Sequence, residues 1–254
     1  MSEVLRLDGV WAAFDRGHDR VSVLEDVSLS VGEGEIVAVV GGGGQGKTTL
    51  IRLASGTLVA DRGTVLITGV DAARLKDKQL ARLLANDLGV ATGTGPAGPH
   101  MTVREYVENA LAAPKQGRRK RWQPRERSAM AQSILDDLGV NECGSMRWDE
   151  LSDWQRVLVE LAQAVVVRPR LLLIDDIAGS FGLQRKQAVM SLLEGFADEY
   201  GCGVLMAASD HMAALRSLRV WQLHGGRLRL MADHTEADID ADVIPLPRRR
   251  SDAG

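Results

Sequence analysis

Five apolar residues, Ile36-Val37-Ala38-Val39-Val40, run directly into Gly41-Gly42-Gly43-Gly44-Gln45-Gly46-Lys47-Thr48-Thr49, and Leu50, Ile51, Leu53 and Ala54 follow at helical spacing. A strand that breaks into a glycine loop and restarts as a helix narrows the folds open to this chain more than any other feature. Gly41 to Thr48 fits the pattern G-x-x-x-x-G-K-[ST], whose glycines let successive backbone N–H groups curl around phosphate oxygens while the helix start adds its dipole. Lys47 would neutralise the β and γ phosphates of a nucleotide such as ATP, and Thr48 would offer its hydroxyl to Mg²⁺. A flexible glycine turn is the plainer alternative, and the flanking strand and helix weigh against it. Open α/β sheets place ligands at the carboxyl ends of their strands, so the pattern predicts a parallel α/β core.

A site of this kind needs a second strand that ends in an acid, and Leu171-Leu172-Leu173-Ile174-Asp175-Asp176 supplies one. The unbroken apolar run reads as a buried strand. Asp175 is placed to hold Mg²⁺ and Asp176 to act as a base. A buried strand that merely ends at two solvated acids is the alternative.

The 254 residues suffice for one large domain with a sizeable core, and 45% hydrophobic against 26% charged residues excludes wholesale disorder. Lysine and arginine number 31 against 34 acidic residues, a net charge of −3, so no global positive field recruits nucleic acid. Cys143 and Cys202 have no metal-ligand spacing, and no run approaches the roughly 18 apolar residues of a spanning helix. The N-terminus lacks a basic then apolar leader pattern, and a reducing cytoplasm is the expected setting.

Strands are expected over Val4 to Val10, Val21 to Val31, Val65 to Thr68 and Val204 to Ala208. Helices are expected over Leu75 to Leu88, from a Thr102 cap boxed by Glu105, over Ser128 to Leu138, from Leu151 to about Val167, and over Leu183 to Tyr200. Gly93 to Pro99 reads as a hinge or surface loop. The polar stretch from Asp233, with Arg248-Arg249-Arg250 near its end, reads as a flexible tail.

From about Val4 to Met231 the chain resembles an ABC-type ATPase subunit, the nucleotide-binding component of ABC transporters. The likeness rests on the phosphate loop, on the Asp175 strand, on Leu24-Glu25-Asp26-Val27-Ser28-Leu29, on Gly34-Glu35-Ile36-Val37, on Pro99-His100-Met101-Thr102-Val103-Arg104-Glu105, and on Leu151-Ser152-Asp153-Trp154-Gln155, which takes the place of a signature reading roughly LSGGQ. The resemblance implies a RecA-like P-loop NTPase core with an N-terminal antiparallel β subdomain and an inserted helical subdomain. The domain would span residues 1–232, with the helical subdomain at about 93–153 and the tail at 233–254. It further implies that Phe14 stacks on adenine, where a strand-end aromatic at the core edge is the alternative. Nucleotide contacts would come from Gly41, Gly42, Gly43, Gly44, Gln45, Gly46, Lys47, Thr48 and Thr49, and Mg²⁺ would be held by Thr48 and Asp175. In the family two subunits sandwich two ATPs and drive a separate transmembrane permease at the inner face of the cell membrane. Gly17 to Leu24 and Leu80-Ala81-Arg82 ahead of Leu88-Gly89-Val90 are similar to the branch that serves FtsX-type permeases, which includes lipoprotein-release and macrolide-export ATPases.

The departures from the family pattern are concentrated. The sensor glutamine is missing near Gly93, where the chain reads Val90-Ala91-Thr92-Gly93-Thr94. Asp153 and Trp154 replace the two signature glycines, and would crowd and oppose a γ-phosphate. Asp176 stands for the catalytic glutamate, one methylene shorter. Ile177 to Gly182 lacks the proline and the aspartate that crosses to the partner, and Ser209 takes the switch histidine's place with His211 two positions late. Together these imply a subunit that binds Mg·ATP and hydrolyses it slowly, paired with a second ABC ATPase subunit, identical or more active. A non-hydrolysing ATP-gated clamp is the rival, and a soluble ABC protein of translation or DNA repair a third possibility. The basic stretch Lys115 to Arg127, with Trp122 inside it, reads as a solvated loop of the helical subdomain rather than a lipid or nucleic-acid patch.

Overall fold

The computed structural model describes residues 2–17, 19–96, 100–112, 122–209 and 217–233. The chain opens with a long antiparallel pair, β1 (Glu3–Arg16) and β2 (Asp19–Gly32), to which β4 (Arg62–Ile67) and β5 (Val70–Asp71) add in the order β2-β1-β4-β5. This is the expected antiparallel subdomain. The second sheet has the order β10-β9-β3-β8-β7-β6, built from β3 (Ile36–Val40), β6 (Leu88–Ala91), β7 (Leu171–Asp175), β8 (Gly203–Ala208), β9 (Arg219–His224) and β10 (Arg227–Asp233). All its pairings are parallel except β9 with β10.

Alternation along the central strands explains how the layers assemble. Ile36, Ala38 and Val40 of β3, with Leu172 and Ile174 of β7, face one core cluster, while Val37, Val39, Leu171 and Leu173 face the other. Both faces of these strands are buried, which is why they read as continuous apolar runs. One face is covered by α3 (Val103–Ala110), α4 (Pro124–Asp137), α5 (Asp153–Val165) and α6 (Leu183–Tyr200), the other by α1 (Lys47–Ala54) and the antiparallel sheet, with α2 (Asp77–Asn86) at its margin. Full burial of one such leucine side chain contributes about 1.5–3 kcal/mol.

Capping sets the start of α3 where the sequence predicts it. The Thr102 hydroxyl accepts the Glu105 amide at 3.3 Å, and the Glu105 carboxylate accepts the Thr102 amide at 2.8 Å. The Thr102 amide and, at 2.9 Å, the Thr102 hydroxyl both donate to the Glu105 carboxylate and hold it below its usual range. The helix expected from Leu151 starts at Asp153, because Ser152 is spent as its cap.

Two expectations need correction. The helix expected to run to Leu88 stops at Asn86, and Leu88–Ala91 forms β6, whose register beside β7 buries Leu88 and Ala91. The β9–β10 hairpin, turned by Gly225 and Gly226 at φ +55° and +77°, has no counterpart among the expected strands. Asp233, where the tail is expected to begin, is the last residue of β10. The rest of that tail, the basic residues Lys115 to Arg121, and His211 lie outside the described residues. Trp122 packs half-buried against the helical-side core rather than standing in a charged surface. Among the described residues, no helix is long and apolar enough to cross a membrane.

Candidate functional site

The carboxyl ends of β3 and β7 open on the same sheet edge with β8 between them. β3 delivers the glycine loop and β7 delivers Asp175. Gly41 has room for hydrogen only, since a Cβ there would lie 2.6 Å from the Leu223 carbonyl oxygen of β9. Gly46 sits at φ +103° immediately before α1, a conformation that glycine alone adopts without strain.

Lys47 is buried, and its ammonium donates to the Gly41 carbonyl at 2.7 Å and the Gly42 carbonyl at 3.0 Å. The side chain therefore folds back over its own loop. Thr48, exposed at the start of α1, hydrogen-bonds the half-buried Asp175 carboxylate. Burial pushes the Asp175 carboxyl above its ordinary value; the Thr48 bond opposes this, the Asp176 charge adds to it, and Lys47 lowers it. A desolvated carboxylate beside a hydroxyl, with a second carboxylate next to it, is short of positive charge, and that donor set fits a divalent oxygen-seeking cation such as Mg²⁺. Among the described residues, no group of three or more His, Cys, Asp or Glu forms a separate metal site.

Beside the loop lies a cavity of about 460 Å³ whose wall includes Phe14, Val23, Gly44, Gln45, Gly225 and Gly226. Phe14 pairs with Val21 across the β1–β2 ladder, is 36% exposed and lines this space. The Gln45 side chain accepts the Gly225 amide at 3.0 Å, and Glu25 donates its amide to Gly226 at 2.7 Å, so the β9–β10 turn closes one wall. The structure thus brings Phe14, Gly44, Gln45, Lys47, Thr48 and Asp175 to one edge. Sequence reasoning overlooks Val23, Gly225 and Gly226, although two adjacent glycines are a hairpin-turn signal.

Asp176 holds a left-handed backbone at φ +51°. One carboxylate oxygen accepts the Ser209 amide at 3.2 Å, and a Cβ on Gly179 would lie 2.5 Å from the same oxygen. Its side chain is thus folded over the loop that follows β7.

Leu151 to Gln155 stand apart from the phosphate loop, at the head of α5. Leu151 is buried in the core. The Ser152 hydroxyl donates to the Gln155 side-chain oxygen at 2.8 Å and accepts the Gln155 amide at 3.3 Å. Asp153 is exposed and takes the Arg156 guanidinium at 3.3 Å. Trp154 meets Phe181 edge-on with ring centroids 5.6 Å apart, and the Arg185 guanidinium lies 5.3 Å and 5.1 Å from the two rings. Ser152 and Gln155 thus bond each other and Asp153 is paired with Arg156.

Comparison with known proteins bears on this arrangement. The family model described as ABC transporter matches residues 24–179. The ABC transporter ATP-binding protein YtrE of Bacillus subtilis is 30% identical over 230 residues, covering 90% of this chain and 97% of that protein. The lipoprotein-releasing system ATP-binding protein LolD of Alcanivorax borkumensis is 30% identical over 226 residues, covering 89% and 96%. Among solved structures, the dimeric bacterial ABC transporter cassette MJ0796 superposes with a TM-score of 0.82 at 24% identity over 89% of this chain and 97% of that one. The ADP conformation of the cassette MJ1267 gives 0.76 at 22% identity over 94% of each chain. At these identities the structural likeness speaks for the fold.

Proposed function

The chain belongs to the ABC transporter family as an ATP-binding subunit, and from that premise we propose that it binds Mg·ATP at the edge formed by β3 and β7, closes on a second ABC ATPase subunit, and drives a separate permease while hydrolysing ATP slowly. The observation that carries the proposal is the pairing of an intact phosphate loop, with Lys47 and the Thr48–Asp175 contact in place, with an Asp176 carboxylate engaged by the Ser209 amide.

In this reading Gly41 to Thr49 wrap the phosphates, Lys47 exchanges its carbonyl partners for phosphate oxygens, and the Phe14 ring receives the adenine in the cavity beside Gly44 and Gln45. Thr48 and Asp175 would hold Mg²⁺, which supplies Lewis-acid withdrawal of charge from the phosphate oxygens. Asp176 orients the attacking water as a weak base. Ser152 and Gln155 bond each other, and Trp154 is committed to Phe181, so the signature-like face offers a partner's phosphate less than a glycine backbone would. This supports slow or partner-dependent turnover over rapid hydrolysis, and it equally suits the rival in which ATP merely holds a clamp shut.

The proposed unit covers residues 1–232, with the helical subdomain at about 93–153 and a tail at 233–254. Likeness to a protein of a lipoprotein-releasing system supports an FtsX-type permease as the partner and attachment at the inner face of the cell membrane through it. No nucleic-acid partner is proposed. The direct test is a calorimetric titration of Mg·ATP into the wild-type chain and Lys47→Ala. Removing the one buried ammonium of the loop should weaken binding at least about tenfold, and equal affinities would refute the site.

A further inference from the structure

Glu160 lies in α5, about two turns beyond Ser152, and is 3% exposed, a depth at which a carboxylate is costly unless both oxygens are paired. They are, and by one short loop. One oxygen accepts the Gly93 amide at 2.5 Å and the other the Gly95 amide at 2.6 Å, with the Thr92 amide adding a third bond.

The loop is shaped to make these bonds. Gly93 and Gly95 have φ of +74° and +68°, which turns their N–H groups inward together. A Cβ on Gly95 would lie 2.3 Å from the Trp148 ring. Trp148 is itself held, its carbonyl accepting from Arg156 Nε at 3.2 Å and its ring meeting Tyr106 edge-on at 5.9 Å. With the backbone bonded inward, the Thr92 and Thr94 hydroxyls lie 2.9 Å apart on the exposed side.

The loop starts where β6 ends. Ala91 pairs with Ile174 in parallel register, so Thr92 leaves β6 next to the end of β7, whose last residue, Asp175, still pairs with Ala207 of β8. Glu160 therefore joins the strand end beside Asp175 to the helix headed by Ser152. Burial is the largest influence on the Glu160 carboxyl and raises it above its usual value despite three amide donors, whereas a carboxylate that stabilises the fold is held below that value.

We propose that Glu160 is a positioning residue, whose clamp on Thr92 to Gly95 fixes the surroundings of Asp175 on which Mg·ATP affinity depends and makes that loop and the Ser152-headed helix a single moving body. The metal arm of this proposal rests on the Mg·ATP site described above; the clamp does not.

The test compares the full chain with Glu160→Gln and Glu160→Ala. Glutamine keeps the shape but offers one acceptor and one donor, so it retains one of the two glycine amides. Amide exchange followed by NMR should show protection reduced about tenfold at one glycine in Glu160→Gln and at both in Glu160→Ala. Affinity for ATP is then measured with Mg²⁺ and with chelator. Mg·ATP affinity should fall about tenfold in Glu160→Ala and less in Glu160→Gln, while metal-free ATP affinity stays within about twofold. Equal losses in both conditions, or no loss in either, overturn the positioning role. Unchanged protection at both glycines in Glu160→Ala overturns the clamp; where that variant does not fold, unchanged protection in Glu160→Gln does the same. A wild-type chain that binds no Mg·ATP removes the site reading, and the exchange experiment still decides the clamp.

Discussion

Exchanging Asp176 for glutamate should make this subunit a faster ATPase. The Asp176 carboxylate is folded back, with one oxygen on the Ser209 amide at 3.2 Å and the same oxygen crowded over Gly179. A glutamate adds one carbon–carbon bond, at most about 1.5 Å of reach. Misplacing a catalytic group by about 1 Å costs on the order of 100-fold in rate, so restoring that reach should raise kcat by about 10- to 100-fold. Asp176→Asn separates chemistry from structure, because its amide oxygen still accepts the Ser209 N–H while its basicity is gone. Unfolding free energy should then stay within about 0.5 kcal/mol of wild type, and turnover should fall by about 100-fold, the low end for loss of a general base. The assay is steady-state phosphate release at saturating Mg·ATP, with urea unfolding as the structural control. A glutamate variant no faster than wild type, alongside an asparagine variant no slower, would refute the claim that reach at position 176 limits hydrolysis.

Ser152→Ala removes the cap that accepts the Gln155 amide, and should cost about 1 kcal/mol in urea unfolding; a change below a few tenths would mean that Gln155 and solvent replace it. Glu160 predicts a pH dependence of stability. Its carboxyl is raised above 4.5 on folding, burial being the main cause and the amides of Gly95, Gly93 and Thr92 opposing it, so the folded chain binds that proton more tightly than the unfolded chain. Its contribution is full below the unfolded value and is lost as pH rises through the folded one. The stability of wild type relative to Glu160→Gln should therefore decline from about pH 4.5 toward neutrality. Tyr106, pushed up to about 12 by burial and by Glu160, does not titrate in that window. A flat or rising difference would contradict the assignment.

The central sheet was legible because its strands are buried on both faces and carry unbroken apolar runs, as Ile36 to Val40 and Leu171 to Ile174 do. The Thr102 cap was legible because a hydroxyl and a glutamate stand three apart, while the same spacing at Ser152 and Gln155 lay inside the signature-like segment and was not read as a cap. β6 was not, since four residues directly after a helix carry no period of their own, and their strand state comes from the ladder with β7. The β9–β10 hairpin was hidden by its mixed polar surface, and with it Gly225 and Gly226 beside Phe14. The phosphate loop, Thr48 and Asp175 could be named from residue type and spacing alone. Glu160 could not, because nothing in the sequence around it points to Gly93 and Gly95 before the fold brings them together.

The measurement that tests most directly the proposal that this subunit binds ATP and hydrolyses it slowly is Mg·ATP binding by calorimetry beside phosphate release by the same purified chain, with Asp176→Ala as the matched control. Saturable binding with slow release, lowered further in Asp176→Ala, is the predicted result. Rapid release that Asp176→Ala abolishes would show Asp176 to be an adequate base as it stands, and would contradict the account.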